Sequence, residues 1–370
     1  MEVIRMTVGY IYNPVFLEHV MGDCPEGPQR LDAIMQRLKV SGLLGQLEQL
    51  PSRPATREEL QRNHAPELIS LVKGLAESGG GDLDNDTFIS KGSYQAALYA
   101  AGAAITASEL ACTGQITRSI VLERPPGHHA TARRAMGFCL FNNVAIAAHA
   151  ALALGWVKRL AIVDFDVHHG NGTSNSFAED PRVLFISSHQ CPLFPGTGDW
   201  RDIGFGEGRG TTLNIPLPPY TGDLGFRLAY DLLIAPALQR FQPELILVSA
   251  GFDAHWADPL ADLMLSVSAF WEITHKLIAL AEELCSGRLV YILEGGYNLE
   301  ALGHCVAASI AAMLEQPYED PLGSSSLPED PLEFHLERIA RLHGLYDPSR
   351  RMKDDDLAGN EDDYTLEWWP

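Results

Sequence analysis

The sequence predicts an α/β protein with a central parallel sheet flanked by helices on both faces. Four short runs, residues 119–122, 160–163, 245–248 and 289–293, are of strand length and apolar on both faces, as strands covered on both sides must be. Helical stretches at 142–154, 225–241, 266–286 and 298–314 alternate with them, and that alternation marks a wound parallel sheet. Each run also ends directly in a cluster of residues able to do chemistry, and ligands in such sheets sit beyond the carboxyl ends of the strands. Four distant segments are therefore expected to meet at one pocket.

Taken in order, residues 9–13 supply a short first strand. A loop containing Asp23, Cys24, Glu26 and Pro28 leads into residues 30–38, where Leu31, Ile34, Met35 and Leu38 fall at helical spacing. A second helix is expected over 65–75, and three glycines at 79–81 break the chain before an alanine-rich stretch, 94–111, suited to a closely packed helix. Residues 188–224, rich in Gly and Pro, are expected as one long loop walling or covering a site. After 315 the serine run 324–326 and the aspartate run 354–356 suggest a tail, although Leu332, Leu336, Ile339 and Leu342 are spaced for one docked helix. The expected division is a single unit over 1–315 and an acidic extension over 316–370. No internal repeat is visible.

The chain has 370 residues and a formal net charge of -21, which argues against nonspecific nucleic-acid binding. Acidity of this kind serves solubility, and it would also favour a cationic partner such as a lysine-rich peptide or a polyamine. From Glu315 onward 15 acidic residues face 5 basic ones, so much of the charge could lie far from any site. No leader and no long apolar run appears, so no membrane partner is expected. The six cysteines form no C-x-x-C pair, and a reducing cytoplasm is the expected location.

The chemistry sits in four clusters. Asp166 and His168 are two apart beyond a strand end, where alternation would put both side chains on one side, and Asp253 follows another strand. Two carboxylates and one imidazole leave open positions on a divalent ion, the mark of a catalytic site. Zinc suits this set, with ferrous iron as the other option. His128 and His129 follow Pro125, Pro126 and Gly127, a rigid turn that fixes where the imidazoles point. A histidine held close to activated water can take a proton and return it to a leaving amine. Asp164 and Asn171 are the nearest candidates to orient the pair. Tyr297 follows Gly295 and Gly296, which let the backbone approach a ligand closely, and its phenol could donate to an oxygen gaining negative charge.

The motifs Arg-Pro-Pro-Gly-His-His-Ala (124–130), Gly-Phe-Cys (137–139), Asp-Phe-Asp-Val-His-His-Gly-Asn-Gly-Thr (164–173), Phe-Pro-Gly-Thr-Gly (194–198), Ser-Ala-Gly-Phe-Asp-Ala (249–254) and Glu-Gly-Gly-Tyr (294–297) together resemble the histone deacetylase and acetylpolyamine amidohydrolase superfamily. The resemblance covers about residues 10–315 and implies the single-domain arginase/deacetylase fold. It implies one zinc per chain on Asp166, His168 and Asp253, with Tyr297 polarising a carbonyl, His129 as general base then acid, and His128, paired to Asp164, acting electrostatically. Phe138 and Phe194, with Gly137 and Gly296 beside them, would line a narrow tunnel for an aliphatic amine chain. Arg30 would lie near an inner cavity through which acetate leaves. A potassium ion would involve Asp164, Asp166, His168 and Ser187. Asn171 stands where class I members have aspartate, which resembles the class II branch, and Tyr297 is the residue of the catalytically competent members.

The implied reaction is hydrolysis of an N-acetylated amine, acetyl-lysine in proteins or peptides or an acetylated polyamine, to acetate and free amine. A manganese ureohydrolase would need a further carboxylate two residues after His168, where Gly170 stands. A zinc-containing binding protein without turnover is the remaining alternative. The substrate choice rests with the rim, where Glu18, Glu26, Asp82, Asp84 and Asp86 could meet a second ammonium and where His255 and Asp258 are also expected. A homo-oligomer is compatible with the resemblance, since polyamine-type members tend to pair.

Overall fold

A computed structural model describes residues 7–22 and 24–347. Asp23 and the aspartate run 354–356 lie outside the described residues. Ten strands are found among those described: β1 (Val8–Ile11), β2 (Glu48–Gln49), β3 (Gly80–Asp82), β4 (Phe88–Ser90), β5 (Arg118–Val121), β6 (Leu160–Asp164), β7 (Val183–Gln190), β8 (Thr212–Leu217), β9 (Ile246–Ala250) and β10 (Leu289–Leu293). Eight form one sheet in the order β2-β1-β5-β10-β9-β6-β7-β8, parallel throughout, while β3 and β4 pair as a separate hairpin. The fold is the expected α/β single domain.

Central strands β5, β10, β9 and β6 are buried at every residue, which explains their unbroken apolar reading. On one face the helices Gln29–Val40, Val267–Cys285 and Leu299–Met313 pack together, and on the other Ser93–Cys112 packs on Asn143–Ala153. Each predicted helix is present within a few residues of its expected ends. The 225–241 stretch, however, is interrupted by a π-helical turn at Tyr230–Ile234.

The expected loop over 188–224 is partly wrong, since β7 runs to Gln190 and β8 lies within it. Strand β8 is Thr-Leu-Asn-Ile-Pro-Leu at the sheet edge, where a proline that cannot donate to a ladder is tolerated. Pro216 and Asn214 hide its strand character in the sequence, and only pairing with β7 reveals it. Past the last sheet helix the described residues, to Asp347, stay on the domain. The helix Glu333–Leu342 buries Leu336 and Ile339 and leaves Leu342 exposed, and His335 Nε2 lies 2.9 Å from the Pro216 carbonyl of the edge strand. None of the described helices is long and apolar enough to cross a membrane.

Close helix packing shows at Gly102. A Cβ there would meet the backbone of Arg53, Pro54 and Ala55. Gly to Ala in a helix interior normally stabilises by about 1 kcal/mol. Here a backbone must shift instead, so Gly102→Ala is expected to lower stability by about 1–3 kcal/mol, read as a lower urea midpoint.

Candidate active site

The carboxyl ends of β5, β6, β9 and β10, neighbours in the sheet, open onto one buried site. The strand ends stop short of the reactive residues: β6 ends at Asp164 and β9 at Ala250. Asp166 and His168 therefore meet through a turn and not through strand alternation. The carboxylates shape that turn, with Asp164 Oδ1 accepting from Asp166 N at 3.1 Å and Asp166 Oδ1 from His168 N at 2.9 Å. Asp166 Oδ2 accepts from Gly295 N at 2.8 Å, and Asp253 Oδ1 from Val167 N at 2.9 Å. A Cβ at Gly295 would fall onto the carboxylates of Asp253 and Asp166, so only glycine lets the strand β10 exit pass here.

Ligand atoms of Asp166, His168 and Asp253 all lie within 4.8 Å of one another. His168 Nδ1 is 3.1 Å from Asp166 Oδ1 and 3.3 Å from Asp253 Oδ2. Asp253 Oδ2 is buried and accepts no hydrogen bond, so its lone pairs are open to a cation beside the His168 ring. Burial opposes a charge on His168, yet the two carboxylates hold its imidazole up to about 10, so this spot favours positive charge. The donor set of two oxygens and one nitrogen fits a divalent ion with open positions, as zinc takes in catalytic sites.

The two adjacent histidines have opposite electrostatics although their rings are 4.0 Å apart. His128 Nδ1 donates to Asp164 Oδ2 at 3.0 Å. Burial works against its charge, but Asp166 and Asp164 outweigh that and raise it well above the ordinary value. His129 Nδ1 lies 2.8 Å from Asn171 Oδ1, a neutral partner. Burial, then the charges of His128 and His168, push it well below the ordinary value. His129 thus stays neutral with Nε2 free to accept a proton. Paired groups driven apart in this way are the usual layout for acid and base roles. Their turn is pinned from below by Glu294, whose Oε2 accepts from Gly127 N at 2.7 Å and His128 N at 3.1 Å.

Aromatic rings flank the site. Phe194, 41 % exposed, meets His129 edge-on at 5.1 Å, and Phe138 meets the Tyr297 ring at 5.8 Å. A Cβ at Gly137 would strike the His129 ring and Phe194. Gly137 and Phe138 both have positive φ, 58° and 65°, and for a bulky side chain that conformation is strained. It is held by Asp86, accepting from Gly137 N at 3.2 Å, and Thr87 Oγ1, accepting from Phe138 N at 3.2 Å. Burial, then Asp253, pushes the Tyr297 phenol well above its ordinary value despite Arg30, so it stays a donor. Behind it lies fully buried Arg30, its guanidinium 5.0 Å from the ring centroid, donating to the carbonyls of Gly296 at 2.7 Å and Glu294 at 2.6 Å. Gly296 carries φ 118°. Ser187 is set level with Asp164 by the register of β7 on β6, and its hydroxyl lies 3.0 Å from His189 Nδ1.

Three rim expectations fail. Glu26 is fully buried, binding Arg124 at 2.6 and 2.7 Å and Arg30 at 3.1 Å, so no second ammonium reaches it. His255 and Asp258 are buried too. Glu294, Asp86 and Thr87 carry little sequence signal because each holds backbone far away in sequence. Only the position of Glu294, directly before Gly295 in a strand-end motif, offered a signal.

A family model of the histone deacetylase domain matches residues 24–313. The chain is 42 % identical over 352 residues to histone deacetylase 14, chloroplastic, of Arabidopsis thaliana, covering 89 % of this chain and 82 % of that protein. It is 40 % identical over 358 residues to a probable deacetylase of Archaeoglobus fulgidus, covering 92 % and 99 %. With the histone deacetylase-like amidohydrolase of Pseudomonas aeruginosa it shares 38 % over 351 residues, covering 95 % and 89 %. The crystal structure of the HDA15 HD domain superposes with a TM-score of 0.83 at 32 % identity, covering 93 % and 96 %. A matched domain, a shared parallel sheet and a buried Asp-His-Asp set at its strand ends agree, and the chain belongs to the histone deacetylase family, a hydrolase acting on amide bonds.

Proposed function

We propose that this hydrolase removes acetyl groups from acetyl-lysine in proteins or peptides, in a zinc-dependent reaction giving acetate and free amine. The observation that supports this most is the geometry at the strand ends, where His128 Nδ1 meets the Asp164 carboxylate at 3.0 Å and His129 Nδ1 meets the Asn171 amide at 2.8 Å, beside the Asp166, His168 and Asp253 donors. One zinc ion on those donors would supply Lewis acidity toward the amide carbonyl and acidify a water. His129 Nε2 takes the proton of the attacking water, while Asn171 holds the ring by Nδ1. Tyr297 donates a hydrogen bond to the carbonyl oxygen as it gains charge. His128, kept charged by Asp164, stabilises negative charge nearby, and His129 returns its proton to the departing nitrogen. Phe138 and Phe194 grip the aliphatic chain, with Gly137 and Gly296 leaving room for it. Arg30 lies on the inner side of Tyr297, where acetate would leave. A potassium ion would sit by Asp164 and Ser187 with the backbone of Asp166 and His168.

Acetylated polyamines are the second reading. Asp86 stands half-buried at the loop that holds the Gly137 turn and could meet a second ammonium, with Asp84, paired to Arg134 at 3.3 Å, beside it. Six free cysteines suit a reducing compartment such as the cytoplasm. A catalytic unit over residues 1–315 with an acidic extension over 316–370, and assembly as a homo-oligomer, complete the proposal whichever substrate is taken.

The zinc-loaded chain is expected to release acetate from an acetyl-lysine peptide with kcat/KM about tenfold or more above that for N8-acetylspermidine; the reverse ratio would make it a polyamine amidohydrolase. Tyr297→Phe should lower kcat about 100- to 1,000-fold, and turnover at the wild-type rate would remove the tyrosine from the mechanism. Calorimetry should find one zinc per chain, with binding abolished in Asp253→Ala. Asn171→Asp adds a negative charge beside His129 and favours its protonated form. The acid limb of the kcat/KM profile should therefore move to higher pH by about one unit or more.

A further inference from the structure

Strands β9 and β10 run side by side, and the segments leaving them stay in contact past the sheet. Asp258, on the segment after β9, is only 6 % exposed. Its Oδ2 accepts from Tyr297 N at 2.7 Å and Asn298 N at 3.1 Å, and its Oδ1 accepts from Leu260 N at 3.1 Å. Asn298 closes the joint from the other side. Its Nδ2 donates to Ala257 O at 2.9 Å, while its Oδ1 caps the helix Leu299–Met313 through Ala301 N at 3.0 Å.

The peptide joining Gly296 to Tyr297 is thus gripped at both edges. Its carbonyl accepts from the Arg30 guanidinium at 2.7 Å, and its N–H donates to the Asp258 carboxylate at 2.7 Å. A peptide unit is planar, so holding both edges fixes the plane from which the Tyr297 side chain springs. The bond from the Arg30 guanidinium is charge-assisted, the strong kind, and this segment needs such anchors. Gly295 and Gly296 precede the tyrosine and have no side chains to pack, and Gly296 takes a conformation, φ 118°, that two adjacent glycines hold only loosely on their own.

We infer that Asp258 is a positioning residue for Tyr297, holding the backbone of the Glu-Gly-Gly-Tyr segment so that the phenol meets the substrate carbonyl. It touches no reacting atom and acts only through the tyrosine. The inference rests on the proposed role of Tyr297 as the carbonyl donor. Misplacing such a group by about 1 Å can cost on the order of 100-fold in rate, so loss of the clamp should appear in kcat more than in KM.

The test is a double-variant cycle on the full zinc-loaded chain with an acetyl-lysine peptide, comparing wild type, Asp258→Asn, Tyr297→Phe and the double variant. Asp258→Asn keeps the shape but turns one acceptor oxygen into a donor facing backbone N–H groups. Expected is a fall in kcat of about tenfold or more with KM within about twofold, shrinking to less than about twofold when Tyr297 is already Phe. An equal fall in both backgrounds overturns the inference, because general damage does not depend on the phenol. An unchanged kcat in Asp258→Asn overturns it as well. Should Asp258→Asn fail to fold or to take up zinc, Asp258→Glu, which keeps the charge and moves its oxygens by one carbon, enters the same cycle under the same criterion. These outcomes presuppose an active wild type and an impaired Tyr297→Phe; a wild type without turnover, or an unimpaired Tyr297→Phe, overturns the proposed function itself.

Discussion

Carboxylates buried at the ends of neighbouring strands are the constraint around which this protein is built. Asp164, Asp166, Asp253 and Glu294 are all fully buried or nearly so. An unpaired buried ion costs several kcal/mol, so each must find donors. The loops supply them from backbone: Asp166 N, His168 N, Val167 N, Gly295 N, Gly127 N and His128 N all point at these four side chains. Turns that look irregular are therefore shaped by charge. After this accounting Asp253 Oδ2 accepts no hydrogen bond, and the same concentration of negative charge raises His168 and His128 above the ordinary imidazole value. The candidate metal donors and the raised His128 are two consequences of one charge imbalance.

The same economy sets His129 apart. It lies next to His128 in the chain, yet its orienting partner is the amide of Asn171 and its neighbours are cations. A neutral imidazole follows without any dedicated device. The Glu26 pair with Arg30 and Arg124 extends the network inward. Burial pulls the Glu26 carboxyl upward, but Arg124, His19 and Arg30 outweigh it and hold it down to about 2. Its charge is thus secure, and with it the guanidinium behind Tyr297.

Around this polar centre the walls are set by backbone geometry. Phe138 is held in a strained left-handed conformation by two bonds from the β3–β4 hairpin, a piece of structure outside the main sheet. Phe194 comes from the loop after β7, and His169 Nδ1 and Thr197 Oγ1 tie that loop down at 2.7 Å. These aromatic walls therefore draw on segments distant in sequence, each anchored by polar contacts.

Composition and periodicity determined the sheet class, because strands buried on both faces read as short apolar runs that alternate with longer helical stretches. Motifs determined the donors, Asp166, His168 and Asp253, and the histidines, because their chemistry is written in residue type and strand-end position. Edge strand β8 escaped that reading: Pro216 and Asn214 weaken its local signal, and its pairing with β7 is a long-range fact. The roles of Glu26, Asp258, Glu294 and Asp86 escaped for a related reason. An acidic residue reads the same whether it is solvated or buried against backbone donors from another segment, and only the tertiary structure brings those donors to it. Charge at the rim was likewise a matter of packing, since Glu26 lies inside and Asp82 outside. Residue identity decides what chemistry is available, while burial and the partners supplied by the fold decide which of those residues exercise it.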